Sequence, residues 1–192
     1  MTTFSVSNIE NIHAYPLVLD SPHSGTSYPD DFKYAVELET LRQAEDTHVD
    51  RLIEELTFRG LPTLCASFPR TYIDLNRSLD EVDVELLADH WPHPVTPSSK
   101  TALGKGLVWR KLDTGDEIYS SLLSATEIEH RINHYWIPYH IELKRLLQTV
   151  YDVHGYVIHF NCHSMPSVSG LLSTEEPGLI HPDFVLGDRD GT

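Results

Sequence analysis

An α/β layered domain with a largely parallel sheet is what this 192-residue sequence predicts. Three observations predict it. Short apolar runs alternate with stretches of helical periodicity, the pattern of strands joined by crossover helices. Turn formers bound the apolar runs, as expected of buried strands. Two of the runs, in "LVLDSPHSG" and "VIHFNCHSM", exit into the same dipeptide, His-Ser. In open α/β sheets ligands bind beyond the carboxyl ends of the strands, where both dipeptides would stand. The length suits one domain with a real core, so residues 1–192 are read as a single domain.

The elements follow in order. Residues 16–21, PLVLDS, read as a strand, and "PHSGTSYPDD" as the loop after it. Residues 37–58 have helical periodicity, with Val49, Leu52, Ile53 and Leu56 forming an apolar arc at i, i+3, i+4 and i+7. Gly60 and Pro62 end that helix. Residues 62–68, PTLCASF, read as a strand, and 71–76, TYIDLN, as another, with Pro69 between them. Residues 78–117 are irregular, and a loop that long is expected to be functional, such as a lid over the site. A long helix spans about 125–153, with Ser124 as N-cap and Glu127 three residues on. Pro138 inside it should kink or split it, and Gly155 should stop it. Residues 156–161, YVIHFN, read as a strand, and 182–188, PDFVLGD, as one more.

Composition narrows the function. The net charge of −15 disfavours phosphate backbones, so nucleic acid is excluded as a partner. No apolar run approaches the roughly 18–20 residues of a membrane span. The N-terminus carries neither a basic nor an apolar signal region, and Cys65 and Cys162 read as buried free thiols, so a reducing, cytoplasmic setting is expected. With 14 Lys and Arg in all, any clustered arginines are informative. The 12 histidines supply many possible metal ligands.

His23 and His163 each follow a strand, which would position them firmly. If those strands are neighbours, both imidazoles converge on one ion. Zinc catalysis needs a third protein ligand and an open position. Asp46 borders the apolar arc of the first long helix, while Asp50 lies further out at about 100° per residue. A charged residue bordering a core needs a partner, and a metal would serve; the choice between Asp46 and Asp50 stays open. His159 shares strand parity with Asn161 and His163 and remains a possible neighbour. The His130/His134 pair has metal-binding spacing but lacks the glutamate of a zincin motif, and reads as a surface face. Arg70 and Arg77 bracket "TYIDLN" and could present forks to an anionic substrate. Alternatively, Arg77 pairs with Asp74, Asp80 or Glu81.

In order, "DSPHSGTSYP", "EDTHVDRL", "RTYIDLNR", "RINHYWIPYH" and "NCHSMPS" resemble the N-formylglutamate amidohydrolase family, itself similar to zinc carboxypeptidases and aspartoacylases. The resemblance covers about residue 15 to 192. It implies a three-layer αβα domain of phosphorylase/hydrolase-like type with a mixed, largely parallel sheet. It also implies zinc-dependent cleavage of the formyl C–N bond of N-formyl-L-glutamate, a small anionic substrate, late in histidine breakdown. By position, His23, Asp46 and His163 look like the zinc ligands. Asn76 and Arg77 look like the carboxylate-binding pair, and Arg70 like the group that stabilises the oxyanion. Nothing in the sequence fixes the formyl preference, so a zinc deacylase acting on another N-acyl amino acid is the alternative.

Two departures from the family pattern carry expectations. Where related hydrolases often have Asp two residues before the last zinc histidine, this chain has Asn161, which can hydrogen-bond an imidazole without charging it. The superfamily's general acid/base glutamate comes from a late strand, and members normally continue past a "GDRDGT"-like segment. Glu175 and Glu176 do not match that motif. The glutamate is therefore expected beyond residue 192, the domain is expected to lack C-terminal elements and to expose a sheet edge, and the chain is expected to fold in part, bind zinc and be a poor catalyst; a non-catalytic protein that only binds ligand is a further alternative.

Overall fold

The structure, a computed structural model, describes residues 2–170 and 176–188. Its centre is a four-stranded mixed sheet in the order β1-β3-β2-β4, built from β1 (Phe4–Ser7), β2 (Leu17–Ser21), β3 (Thr63–Ala66) and β4 (Ile158–Asn161). β2 runs parallel to both β3 and β4, with Leu19 beside Thr63 and beside Phe160. β1 pairs antiparallel to β3, Phe4 opposite Ala66.

Alternation along β2 builds the layers. Val18 packs with Leu64 and with Tyr139, Leu146 and Val150 of α5 (Ile137–His154) in the main core. Its neighbour Leu19 points the other way, into a smaller cluster with Leu61 and with Ile53 of α2 (Val49–Phe58). One helix on each face of one sheet is the expected three-layer arrangement. β4 is the outer strand of the described sheet, and Ile158 and Phe160 remain nearly half exposed on it.

The helix expected over 37–58 is broken. α1 (Leu38–Leu41) passes into a single 3-10 turn, the chain becomes extended at Glu45, and α2 starts only at Val49. His48, just before α2, takes a left-handed φ of 69°. Tertiary contacts override propensity here: the Asp46 N–H donates to the carbonyl of His23, 3.1 Å, pulling the chain out of helical register. The apolar arc is buried only on one side, at Val49 and Ile53, while Leu52 is 73% exposed and Leu56 37%.

"TYIDLN" is not a strand. It is a pair of turns, with Tyr72 N–H on Pro69 O and the Asn76 N–H on its own neighbour's side chain, Asp74 Oδ1, 2.9 Å. An aspartate that satisfies the backbone two residues on favours a turn over a ladder. Tyr72, Ile73 and Leu75 are all buried, so the run imitated a strand by hydrophobicity alone. Residues 182–188 form no strand either, and Phe184 and Leu186 stand about 90% exposed.

α4 (Ala125–Arg131) opens with the expected capping box, Ser124 and Glu127 satisfying each other's backbone N–H groups. Residues 132–136 then widen into a π turn before α5, and Pro138 occupies the first turn of α5. The wider turn absorbs the missing proline N–H, so the helix changes pitch where a kink was expected. Gly155 closes α5 in the left-handed region, φ 77°.

Residues 78–117 hold a 3-10 turn, the short α3 (Ser99–Ala102) and isolated β-bridges such as Lys105 with Trp109. They are no free lid: Leu86, Leu107, Val108, Trp109 and Leu112 are buried in the main core. The Asp74 N–H donates to Leu107 O and the Leu107 N–H to Glu81 O, each 2.8 Å, which stitches this segment to the "TYIDLN" turns.

Candidate metal centre

Because β2 and β4 are parallel neighbours, both His-Ser turns leave the sheet at the same end. The Cys162 N–H donates to Asp20 O at 2.8 Å and locks the two exits together. After β2 the chain turns through Gly25, whose added Cβ would lie 2.4–2.5 Å from backbone atoms of Ser67 and Phe68. Only glycine permits that close approach. Gly25→Ala is expected to cost about 1–3 kcal/mol in urea unfolding; an unchanged midpoint would mean that the loop is not held there.

His23 is fully buried. Its Nε2 meets Asp74 Oδ1 at 2.8 Å, and its Nδ1 stands 3.5 Å from Asp46 Oδ2 without a hydrogen bond. His163 directs Nδ1 at the same Asp46 Oδ2, 2.8 Å, and Asn76 Nδ2 lies 2.7 Å from its Nε2. The two rings sit with centroids 4.7 Å apart. Arg70 bridges Asp46 and Asp74 at 3.3 and 3.2 Å. The Trp109 indole N–H donates to Asp74 Oδ2, 3.0 Å.

Burial by itself raises the Asp46 pKa. Hydrogen bonding from His163, the His23 imidazole and the Arg70 guanidinium outweigh it and hold the carboxyl well below the usual range. Burial also raises the Asp74 pKa, and the charges of His23 and Arg70 outweigh it and hold that carboxyl well below the usual range too. Both aspartates are therefore carboxylates at neutral pH.

The structure brings His23, Asp46 and His163 together, with one ligand atom of each all within 4.8 Å of one another. These residues fit a metal. Two imidazoles and a carboxylate are the donors zinc takes, at bonds of about 2 Å. The buried His23 Nδ1 has no hydrogen-bond partner, and its ring is fixed from behind by the Asp74 carboxylate, as metal-bound histidines are. Asp50 lies exposed on α2 and is not in the cluster, so the geometry favours Asp46. Asp46 stands in the loop before α2 and not on a helix edge, since its backbone is tied to His23. His159 is not a neighbour: its Nε2 is held by Asp20 Oδ1, 2.7 Å. Asn161 does not bond the His163 imidazole; its amide donates to Asn76 Oδ1 at 3.0 Å, and Asn76 meets the ring.

Beside the cluster lies a cavity of about 560 Å³ whose wall includes Asp46, Arg70, Arg77, Lys100, Lys105 and Trp109. Arg77 forms no salt bridge with Asp74, Asp80 or Glu81. Its guanidinium instead donates to the carbonyls of Lys105 and Asn76, both 3.0 Å. Four cations on one cavity are notable in a chain of net charge −15. Sequence reasoning missed Asp74, Trp109 and both lysines. Asp74, two residues before Asn76, carried a signal; the lysines lay in a segment with no readable periodicity. Glu45 also lines the cavity, with its carboxylate engaged by Tyr28 Oη at 2.7 Å and by Arg42. Glu176 is exposed, and Glu175 lies outside the described residues.

Fold and site define a class: an α/β domain that gathers two histidines, an aspartate and a cationic cavity at the C-terminal edge of its sheet. The chain belongs to the N-formylglutamate amidohydrolase family, whose model matches residues 15–192. It is 27% identical to the N-formylglutamate deformylase of Pseudomonas putida over 183 residues, 92% of this chain and 60% of that protein. The Pseudomonas aeruginosa deformylase is 28% identical over the same shares. A crystal structure of N-formylglutamate amidohydrolase from Ralstonia eutropha JMP134 superposes with a TM-score of 0.82 at 46% identity, covering 87% of this chain and 59% of that one. The Agrobacterium tumefaciens gene product Atu2144 shares the fold, with a TM-score of 0.64 at 18% identity. The chain thus spans about 60% of the length of the curated relatives it matches.

Proposed function

We propose that this chain carries the metal and substrate-binding residues of a zinc-dependent hydrolase that cleaves N-formyl-L-glutamate to L-glutamate and formate, in histidine breakdown. The observation that carries the reading is the convergence of His23, Asp46 and His163 beside a cation-lined cavity, in a member of this family. Zinc bound there would supply a water of pKa near ~7 and polarise the formyl oxygen.

The protein's own residues do the rest. Asp74 accepts the His23 Nε2–H and fixes which nitrogen faces the ion. Asn76 packs its amide against His163 Nε2 on the side of the ring away from Asp46. Arg70, spanning Asp46 and Asp74, presents a guanidinium where negative charge develops on the carbonyl oxygen. Arg77, on the cavity wall, holds a substrate carboxylate and so orients the scissile amide, while Asn76, expected to share that role, is engaged by His163 and Asn161 instead. The proposed substrate is a small anion, and the cation cluster offsets the repulsion of the acidic surface.

The setting proposed is the cytoplasm. Cys65 and Cys162 are free, and burial pushes their thiols up to about 12 and about 11, so neither is a ready nucleophile. Among the described residues no helix is long and apolar enough to cross a membrane.

The test is formate release by the zinc-loaded chain from N-formyl-L-glutamate, with N-acetyl-L-glutamate and N-acetyl-L-aspartate in parallel. Formate release that disappears in His163→Ala supports the reading. Acetate release with no formate release assigns the site to another N-acyl amino acid. Ligand binding with no release from any substrate makes the chain a binding protein.

A further inference from the structure

We propose that Lys100 is the specificity-determining residue of the cavity, accepting the second carboxylate of a dicarboxylic N-acyl amino acid. The inference rests on the function proposed above and goes beyond it, because that reading assigns a cation to only one carboxylate.

The arrangement runs outward from the metal cluster. Arg70 stacks on Trp109, its Cζ 4.8 Å from the ring centroid, while it pairs with Asp46 and Asp74. Lys105 Nζ lies 5.4 Å from the same ring and is matched by Asp113. Lys100 is on this wall too, carried by α3. Its ammonium group makes no hydrogen bond or ion pair among the described residues. Every other cation here has an assigned acceptor: Arg70 has two aspartates, Arg77 two carbonyls and Lys105 an aspartate.

Lys100 is half-buried, and an ammonium in that setting is stabilised by a counter-charge. Burial, together with the like charges of Lys105, Arg77 and Arg70, lowers its pKa, and the Asp113 carboxylate, which Lys105 engages directly, offsets them only in part. A bound carboxylate would relieve both effects. The backbone around it is built to hold position: Ser98 and Thr101 form a capping box, and the Lys100 carbonyl accepts the N–H groups of Leu103 and Lys105. The lysine stem is thus presented from a fixed turn into the cavity. A glutamate derivative that places its acyl group at the metal and one carboxylate at Arg77 has one charge left to match. Of the cations on this cavity, Lys100 is the one without a hydrogen-bonded acceptor among the described residues, its nearest counter-charge Asp113 being taken by Lys105.

The test is ligand binding, read from tryptophan fluorescence and calorimetry on the full zinc-loaded chain. The ligands are N-formyl-L-glutamate and N-formyl-L-glutamine, which differ only in the second carboxylate. Wild type is expected to prefer the dicarboxylate by about ten- to a hundredfold, the worth of one charge-assisted hydrogen bond. Lys100→Met keeps the stem and removes the charge. It is expected to abolish the preference by weakening the dicarboxylate, leaving N-formyl-L-glutamine within about twofold of wild type. A preference that survives in Lys100→Met overturns the assignment to this lysine. Equal binding of both ligands by wild type overturns a second-carboxylate subsite while leaving the formyl-amide reading intact. Binding of neither ligand by wild type overturns both.

Discussion

Near-stoichiometric zinc is the expected result of elemental analysis on the purified, dialysed chain, and His163→Ala is expected to lose it. A buried nitrogen left without a partner, as His23 Nδ1 is, costs about 1–3 kcal/mol unless something meets it. Asp46 Oδ2 faces that nitrogen and His163 Nδ1 together, which marks the point where a cation satisfies all three. His163→Ala is the cleaner variant, because its side chain is 32% exposed whereas His23 has no exposed surface at all. Graded variants separate ligation from general damage. Asp74→Asn keeps an acceptor behind His23 but removes its charge, and should weaken zinc about 10–100-fold. His163→Ala should weaken it by more than that, and Asp50→Asn should leave it unchanged. Zinc retained by His163→Ala, or absent from wild type, would falsify the ligand set.

How much of this was legible in the sequence depended on the range of the interactions involved. β2 and β4 were legible because each is a local apolar run with a turn after it, and their parallel pairing follows from the crossover between them. His23 and His163 were legible for the same reason, since a strand end fixes a side chain with few residues involved. β1 carried no such signal: four residues, FSVS, become a strand only by pairing with β3, some sixty residues away. "TYIDLN" misled because Tyr72, Ile73 and Leu75 are apolar for a different reason, filling the core around a turn that Asp74 nucleates. The break between α1 and α2 was illegible because local propensity favours helix there. What breaks it is one long-range bond, Asp46 N–H to His23 O. The same bond delivers Asp46 to the candidate metal site, so the place where propensity fails is where the site is made. Lys100, Lys105 and Trp109 lie in residues 78–117, whose path is set by hydrogen bonds to the "TYIDLN" turns and by burial, and neither has a period.

Arg131→Met is expected to destabilise the fold by about 3 kcal/mol and to loosen the candidate site with it. Arg131 ends α4 and is 1% exposed, yet it has no carboxylate partner among the described residues. Its Nη1 donates to the carbonyl of Tyr72 at 2.9 Å and to Tyr119 Oη at 2.7 Å. Its guanidinium lies 4.1 Å from the Tyr72 ring centroid, with Phe32 and Tyr119 also near it. A desolvated cation over aromatic faces is held by their quadrupoles. Methionine restores much of the volume but leaves the Tyr72 carbonyl without that donor. Arg131→Lys is expected to fail in the same direction, because one ammonium cannot reproduce the planar fork. For a domain of this size the loss corresponds to a drop of roughly 6–12 °C in melting temperature. Tyr72 belongs to the turns that carry Asp74, Asn76 and Arg77, so freeing its carbonyl also frees the group that orients His23. Bound zinc stabilises the folded state in proportion to its affinity for it. The rise in melting temperature on adding zinc should therefore be smaller in Arg131→Met than in wild type, although Arg131 touches none of the proposed ligands. An equal rise in both proteins would mean that the aromatic cage supports the core alone, and that the metal site is held by β2 and β4 without help from α4.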